Sequence, residues 1–284
     1  MSLKTFVELP QVREILAPIL PPPTRCARQM CVPRRTLAPS LLGTAFDYLL
    51  RIELKRRFPH ARTRRWVAEL GPAAILTCPG LEFLEQDPRT IVAKASASLA
   101  RAMEYAEAFA RLRRPSTRRL IECAGHSLQL ARLDLPYRCR FVDPDLGRVS
   151  KRDVDELVSL LRVVPFEELA HPRTVVLNPT FGEASARVGG ADGDIIAGDT
   201  LVEIKVTSNA SASAPIRRQA IGYLLLAREA RRRSRSFPVV QSVAIYFARH
   251  ATLHRLGLGA SIDSRAFRRA ETAFWTEADA VYSQ

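Results

Sequence analysis

Asp192, Asp194, Glu203 and Lys205 lie close together in the stretch Gly189 to Lys205, which reads GGADGDIIAGDTLVEIK. Grouped carboxylates repel one another unless one takes up a proton or a cation neutralises them. A hard divalent ion with oxygen ligands, most naturally Mg²⁺, relieves that repulsion and can activate a water. An ammonium beside such a group can orient or deprotonate that water, because its pKa shifts readily where a guanidinium's does not. Among 43 basic residues only Lys4, Lys55, Lys94, Lys151 and Lys205 are lysines, so Lys205 in an otherwise apolar strand is out of character for this chain. The plainer reading is a solvated hairpin tip whose acids pair with Lys205.

The elements needed to gather these groups are legible. Ile195-Ile196 and Leu201-Val202, with Ile204 and Val206 following, flank the tight-turn signal Gly198-Asp199, which predicts a β-hairpin. With those two residues as the loop, Ile196 pairs with Leu201, Asp194 with Glu203 and Asp192 with Lys205. Side chains alternate faces along a strand, so all four polar groups emerge on one side.

Three local patterns resemble the PD-(D/E)xK nuclease superfamily, in particular its RecB/AddB-type and phage-exonuclease-like branches: Asp192 and Asp194 followed by Glu203-Ile204-Lys205; Gln219-x-x-x-Tyr223; and Gly43-Thr44-Ala45-Phe46-Asp47, similar to a Gly-x-x-x-His helix with Asp in place of His. The resemblance implies a metal-dependent deoxyribonuclease using Mg²⁺, with Mn²⁺ able to substitute. Asp194 or Asp192, Glu203 and the Ile204 carbonyl would hold the ion, and Asp47 would add a ligand or serve a second metal. Lys205 would position water or stabilise developing charge, Gln219 would orient Lys205 or a phosphate, and Tyr223 would support the helix or stack on a base. Turn geometry favours Asp194 as primary ligand, whereas the Gly-x-x-Asp spacing of the RecB-type motif favours Asp192. No cysteine follows the Glu-x-Lys strand, so no iron–sulfur cluster is expected. The alternative is a nuclease-fold protein that binds nucleic acid or a partner without cutting.

The chain has 284 residues, 47% of them hydrophobic, enough for a sizeable core. A net charge of +14 implies an anionic partner, most often nucleic acid; the resemblance narrows this to single- or double-stranded DNA and implies a helicase or ATPase subunit as a protein partner. The five cysteines (Cys26, Cys31, Cys78, Cys123 and Cys139) are odd in number and widely spaced, which fits reduced thiols in a cytoplasm. No apolar run approaches a membrane span, so a soluble, cytoplasmic protein is expected.

The expected fold is α/β (α+β): a restriction-endonuclease-like mixed sheet flanked by helices, with an inserted helical subdomain. Residues 1–39 would form a short helix over 5–17 and a Pro-rich connector, 40–58 and 171–284 the nuclease core, and 59–170 the insert. Ser40 is the expected N-cap of a helix to about Arg57, on whose apolar stripe Asp47 points to an Arg or to the metal patch. Within the insert, Asp87-Pro88 opens a helix to about Leu112 with Val92, Ala95, Leu99, Ala102, Ala106 and Phe109 on one face. Two more follow, to about Leu133 and from about Lys151 to Val163. Arg111, Arg113, Arg114, Arg118 and Arg119 around Pro115-Ser116, and Arg231, Arg232 and Arg233 further on, are candidates for a phosphate track. After a strand at Val175 to Leu177, Ala184 to Val188 leads into the hairpin. Pro215 then opens a helix to about Arg233, strands follow at Val243 to Phe247 and Thr252 to Leu256, and a helix over 263–281 closes the unit.

Overall fold

A computed structural model describes residues 2–23, 29–81, 87–169, 173–258, 262 and 264–282. Cys26, in the expected connector, lies outside the described residues, as does position 263 of the closing helix. The chain divides into two compact units, one of Met1–Gln29, Arg62–Arg64 and Pro165–Gln284 and the other of Met30–Ala61 and Arg65–Val164. The helices are α1 (Leu3–Phe6), α2 (Pro10–Leu16), α3 (Pro39–Arg57), α4 (Gly71–Ala74), α5 (Pro88–Ala110), α6 (Thr117–Cys139), α7 (Lys151–Arg162), α8 (Phe166–Leu169), α9 (Glu183–Ala186), α10 (Ala214–Arg233) and α11 (Arg265–Tyr282). The strands are β1 (Arg62–Thr63), β2 (Val175–Leu177), β3 (Ile195–Ala197), β4 (Thr200–Lys205), β5 (Ser242–Phe247) and β6 (Thr252–Arg255).

The first unit is a six-stranded mixed sheet in the order β1-β2-β3-β4-β5-β6. β1 runs parallel to β2 and β4 parallel to β5, while the other neighbours are antiparallel. A parallel neighbour needs a crossover of a dozen or more residues, and α10 provides it between β4 and β5. Ile196 and Leu201 belong to one apolar cluster with Val243, Ile245 and Phe247 of β5, Ile221, Leu224 and Leu225 of α10, and Leu3, Phe6 and Val7 of α1 and its end. Alternation puts Glu203 and Lys205 on the same face as Leu201, so the polar groups continue a face whose apolar part is already covered.

In the second unit α3 packs against α5, α6 and α7. Along α5 the buried positions are Ile91, Ala95, Ser98, Ala102, Ala106 and Phe109. Asp87 caps this helix, accepting from Thr90 N–H at 3.0 Å.

Several elements depart from the sequence reading. The expected helix over 5–17 is split into α1 and α2, and Pro10 starts the second of them. Pro39 takes the first turn of α3 with Ala38 at the cap, so Ser40 is not the N-cap. α3 packs with the helical unit, whereas 40–58 was expected with the sheet. On α5 the face is rotated: Ile91 and Ser98 are buried in place of Val92 and Leu99, which are half-buried. α6 runs past Leu133 to Cys139, with Pro136 in its final stretch and Arg140 in the left-handed region (φ 53°) ending it. Arg62–Thr63, expected to be helical, pairs with β2, and the lead into the hairpin contains the short helix α9 over residues 183–186. Among the described residues no helix is long and apolar enough to cross a membrane.

Candidate active site

The hairpin has the register that its turn dictates. Ile195 pairs with Val202, Ile196 with Leu201 and Ala197 with Thr200, leaving Gly198 and Asp199 as the loop. Gly198 has φ 62°, the positive value that the first position of a type II′ turn needs and that glycine adopts without strain. β3 therefore delivers Asp194 beside Glu203. The Asp194 carboxylate accepts the Ile204 N–H at 2.7 Å, and its backbone carbonyl accepts the Asn178 N–H at 3.0 Å.

Asp192 does not continue the ladder to Lys205 as expected. It forms an isolated antiparallel bridge with Thr180. Gly193 N–H donates to the Pro179 carbonyl at 3.0 Å, and a Cβ at Gly193 would meet the Pro179 and Phe181 rings at 3.2 and 3.3 Å. The 179–181 segment thus keeps the register of β2 with β3, on the side of β3 away from β4, and the β3–β4 pairing ends at Ile195 and Val202.

Lys205 donates to Glu203 at 2.7 Å and to the Gln219 amide oxygen at 3.1 Å, and Gln219 in turn donates to the Tyr223 hydroxyl at 3.4 Å. Gln219 and Tyr223 stand one turn apart on α10, which brings Lys205, Gln219 and Tyr223 into one chain of contacts. The Tyr223 ring stacks on Phe181 with centroids 5.8 Å apart.

Glu203 is only 4% exposed, and its second carboxyl oxygen is buried with no hydrogen-bond partner among the described residues. Burial, and then the Asp194 charge, push its pKa up to about 7 against the pull of Lys205 and Lys4. Burial works against the Lys205 charge, yet Glu203 and Asp194 hold its pKa above the ordinary lysine value. Burial, with Glu203 and Asp194 nearby, raises Tyr223 well above a normal phenol.

A buried carboxylate oxygen left unpaired beside a second carboxylate is a donor set awaiting a cation. Asp194, Glu203 and the Ile204 carbonyl are all hard oxygen donors, and Mg²⁺ is commonly held by one or two carboxylates while keeping several waters. The residues fit such an ion. Among the described residues no group of three or more His, Cys, Asp or Glu could hold a metal, so Asp192 does not complete a trio with Asp194 and Glu203.

Asp47 is paired within the helical unit. Its carboxylate binds Arg51 one turn along α3 through two hydrogen bonds, and Arg51 also lies 5.4 Å from the Tyr48 ring centroid. Of the arginines expected to track phosphates, Arg111 pairs with Glu107 at 3.5 Å, and Arg118 and Arg119 pair with Glu122 at 2.9 and 3.4 Å. Arg113 and Arg114 are exposed and carry no side-chain ion pair among the described residues. Arg231 donates to the Arg235 and Phe237 carbonyls, Arg232 pairs with Glu229 and Glu271, and Arg233 pairs with Glu229 and Glu183.

Lys4, whose charge acts on the Glu203 carboxyl, is a group that sequence reasoning did not connect with the site. Its signal was the scarcity of lysine that singled out Lys205, but nothing local ties residue 4 to residue 203. Against known family models, curated proteins and solved structures, the chain matches none.

Proposed function

We propose that this chain is a metal-dependent nuclease that hydrolyses DNA phosphodiester bonds, with the sheet unit as a restriction-endonuclease-like core and the helical unit as an insert. The observation that carries the reading is the buried, unpartnered Glu203 oxygen beside Asp194, on a face where Lys205 is already fixed. Asp194, Glu203 and the Ile204 carbonyl are the groups to hold a divalent ion. When bound, Mg²⁺, or Mn²⁺ in its place, supplies a Lewis acid for the scissile phosphate and a water of lowered pKa.

The remaining roles follow from the contacts. Lys205 occupies one Glu203 oxygen and leaves the other available. Because its neighbours keep it protonated, Lys205 serves as a fixed positive charge that orients water and stabilises charge developing on the phosphate, rather than as a base. Gln219 fixes that ammonium from the helix side, and the neutral Tyr223 hydroxyl fixes Gln219. The net charge of +14 favours a polyanionic substrate, and Arg113 and Arg114, exposed and without a side-chain ion pair among the described residues, are available to one.

The absence of a three-residue acidic or His/Cys group among the described residues favours a second reading, a nucleic-acid-binding protein that does not cut. Linear, circular and single-stranded DNA, and RNA, incubated with Mg²⁺, Mn²⁺ or EDTA separate the two. Metal-dependent cleavage of DNA that vanishes in Glu203→Gln supports the nuclease. Binding without cleavage under every condition overturns it.

A further inference from the structure

We propose that the helical unit carries a ligand site of its own, a cleft that binds a small planar aromatic anion of the nucleoside-monophosphate type; the inference does not rest on the nuclease reading. The cleft has a volume of about 570 Å³, within the range of ligand pockets, and lies among α5, α6, the loop over 147–149 and the start of α7. Its loop wall is fixed by the protein alone. Gly147 N–H donates to the Gln129 amide oxygen at 2.9 Å, and the Gln129 amide nitrogen donates to the Arg148 carbonyl at 2.7 Å. Gln129 is buried on α6, so both ends of its amide are spent on holding this loop. Gly147 has φ 95°, which glycine reaches without strain. A Cβ at Gly125 would stand 3.6 Å from the Val149 side chain, which brings the α6 backbone close to the loop.

The groups left over in the cleft define the ligand. Ser98, Arg101 and His126 line it, and among the described residues their side chains have no hydrogen bond or ion pair. The other charges there are answered. Lys151 pairs with Asp155 at 2.6 Å, and Glu122 accepts from the Tyr105 hydroxyl at 2.7 Å and pairs with Arg118 and Arg119. The charge left over is that of Arg101, whose planar fork matches a phosphate. His126 stacks on the Tyr105 ring with centroids 4.6 Å apart and planes at 28°. Burial and then Arg101 lower its pKa, so the ring is neutral at pH 7 and offers one N–H donor and one acceptor nitrogen. Ile121 and Val149, 43% and 48% exposed, add an apolar surface at the same cleft that a flat ring can cover. A phosphate, a flat body and a polar edge together make a nucleotide; inorganic phosphate uses only the first, and a nucleoside only the other two.

Isothermal titration calorimetry of the full chain in EDTA, with 2′-deoxynucleoside 5′-monophosphates, the matching nucleosides and inorganic phosphate, tests the site. At least one monophosphate should bind, and more tightly than its nucleoside or inorganic phosphate. Arg101→Gln should weaken that monophosphate by about tenfold or more, the usual effect of losing a charged hydrogen-bond partner, and leave the nucleoside unchanged. His126→Phe, which keeps a ring against Tyr105, should weaken monophosphate and nucleoside alike. Arg101 is exposed, so its variant decides the matter even where His126→Phe fails to fold. Failure of every monophosphate to bind wild type overturns the inference. So does equal affinity of wild type and Arg101→Gln for the monophosphate, which would place the ligand elsewhere, and so does inorganic phosphate binding as tightly as the monophosphate.

Discussion

The Ile204 N–H donates to the Asp194 carboxylate at 2.7 Å, so a backbone group of β4 fixes the acid that faces Glu203. Asp192 lies further from the turn and bridges Thr180, on the β2 side of β3. The two aspartates are therefore unequal. In Asp194→Asn the amide oxygen can still accept from Ile204, so the fold should survive while the charge is lost. Cleavage in Mg²⁺ should fall on the order of 10²-fold or more. Asp192→Asn should retain a substantial part of wild-type activity, more so in Mn²⁺. Cleavage rates against metal concentration for both variants check this, and full activity in Asp194→Asn would remove Asp194 from the site.

Glu203 predicts a pH dependence of stability in metal-free buffer. The folded carboxyl keeps its proton up to about pH 7, whereas the unfolded one loses it near the ordinary 4.5. Between those values the folded state binds more protons, so stability falls as pH rises, by at most about 1.4 kcal/mol per pH unit. The raised Lys205 pKa acts in the opposite setting: it adds stability that persists through this window and is lost only at alkaline pH. Glu203→Gln removes the acidic-to-neutral slope. Its melting temperature should gain on wild type between about pH 5 and about pH 8, and a constant gap would mean that Glu203 is ionised throughout.

The hairpin register was readable because a two-residue Gly198-Asp199 loop is a local constraint, and Gln219 and Tyr223 because helical spacing is local too. Where the β3–β4 pairing ends was not, because the Asp194 side chain takes the Ile204 N–H beyond Ile195 and Val202, and no spacing rule shows that. The two-residue β1 has no periodicity to reveal it; only pairing with β2 defines it. Asp47 shows a different failure. Its Arg51 partner stands at i+4 and was available to the ordinary helical pairing rule, as were Arg118 with Glu122 and Arg233 with Glu229.

Gly222 gives a prediction independent of the chemistry. A methyl group there meets the ends of the buried Leu3 and Val7 side chains at 2.9 and 3.1 Å, so those side chains must give way within a packed core. Gly222→Ala should destabilise the sheet unit by about 1 to 3 kcal/mol, as overpacking typically does. It should also loosen residues near the N-terminus. Denaturant unfolding and limited proteolysis read the two effects, and wild-type stability with unchanged protection of the N-terminus would show that α1 does not press on α10.

The arginine cluster at 111–119 divides by pairing, and binding should divide in the same way. Arg118 and Arg119 share Glu122, and Arg111 has Glu107, so part of their charge is already answered. Arg113 and Arg114 are exposed and unpaired among the described residues, which leaves them the stronger attraction for phosphates. Reversing both to Glu should lower affinity for DNA of every sequence and reduce the log–log salt slope by about 2, since each phosphate contact contributes about 0.9. Replacing Arg118 and Arg119 by Gln should cost less affinity, because Glu122 already offsets part of their charge. Duplex binding measured over a salt series, with several unrelated sequences, distinguishes the outcomes. A loss confined to one sequence would mean that Arg113 and Arg114 read bases, and an equal loss from the Arg118 and Arg119 changes would mean that pairing with Glu122 does not survive contact with DNA.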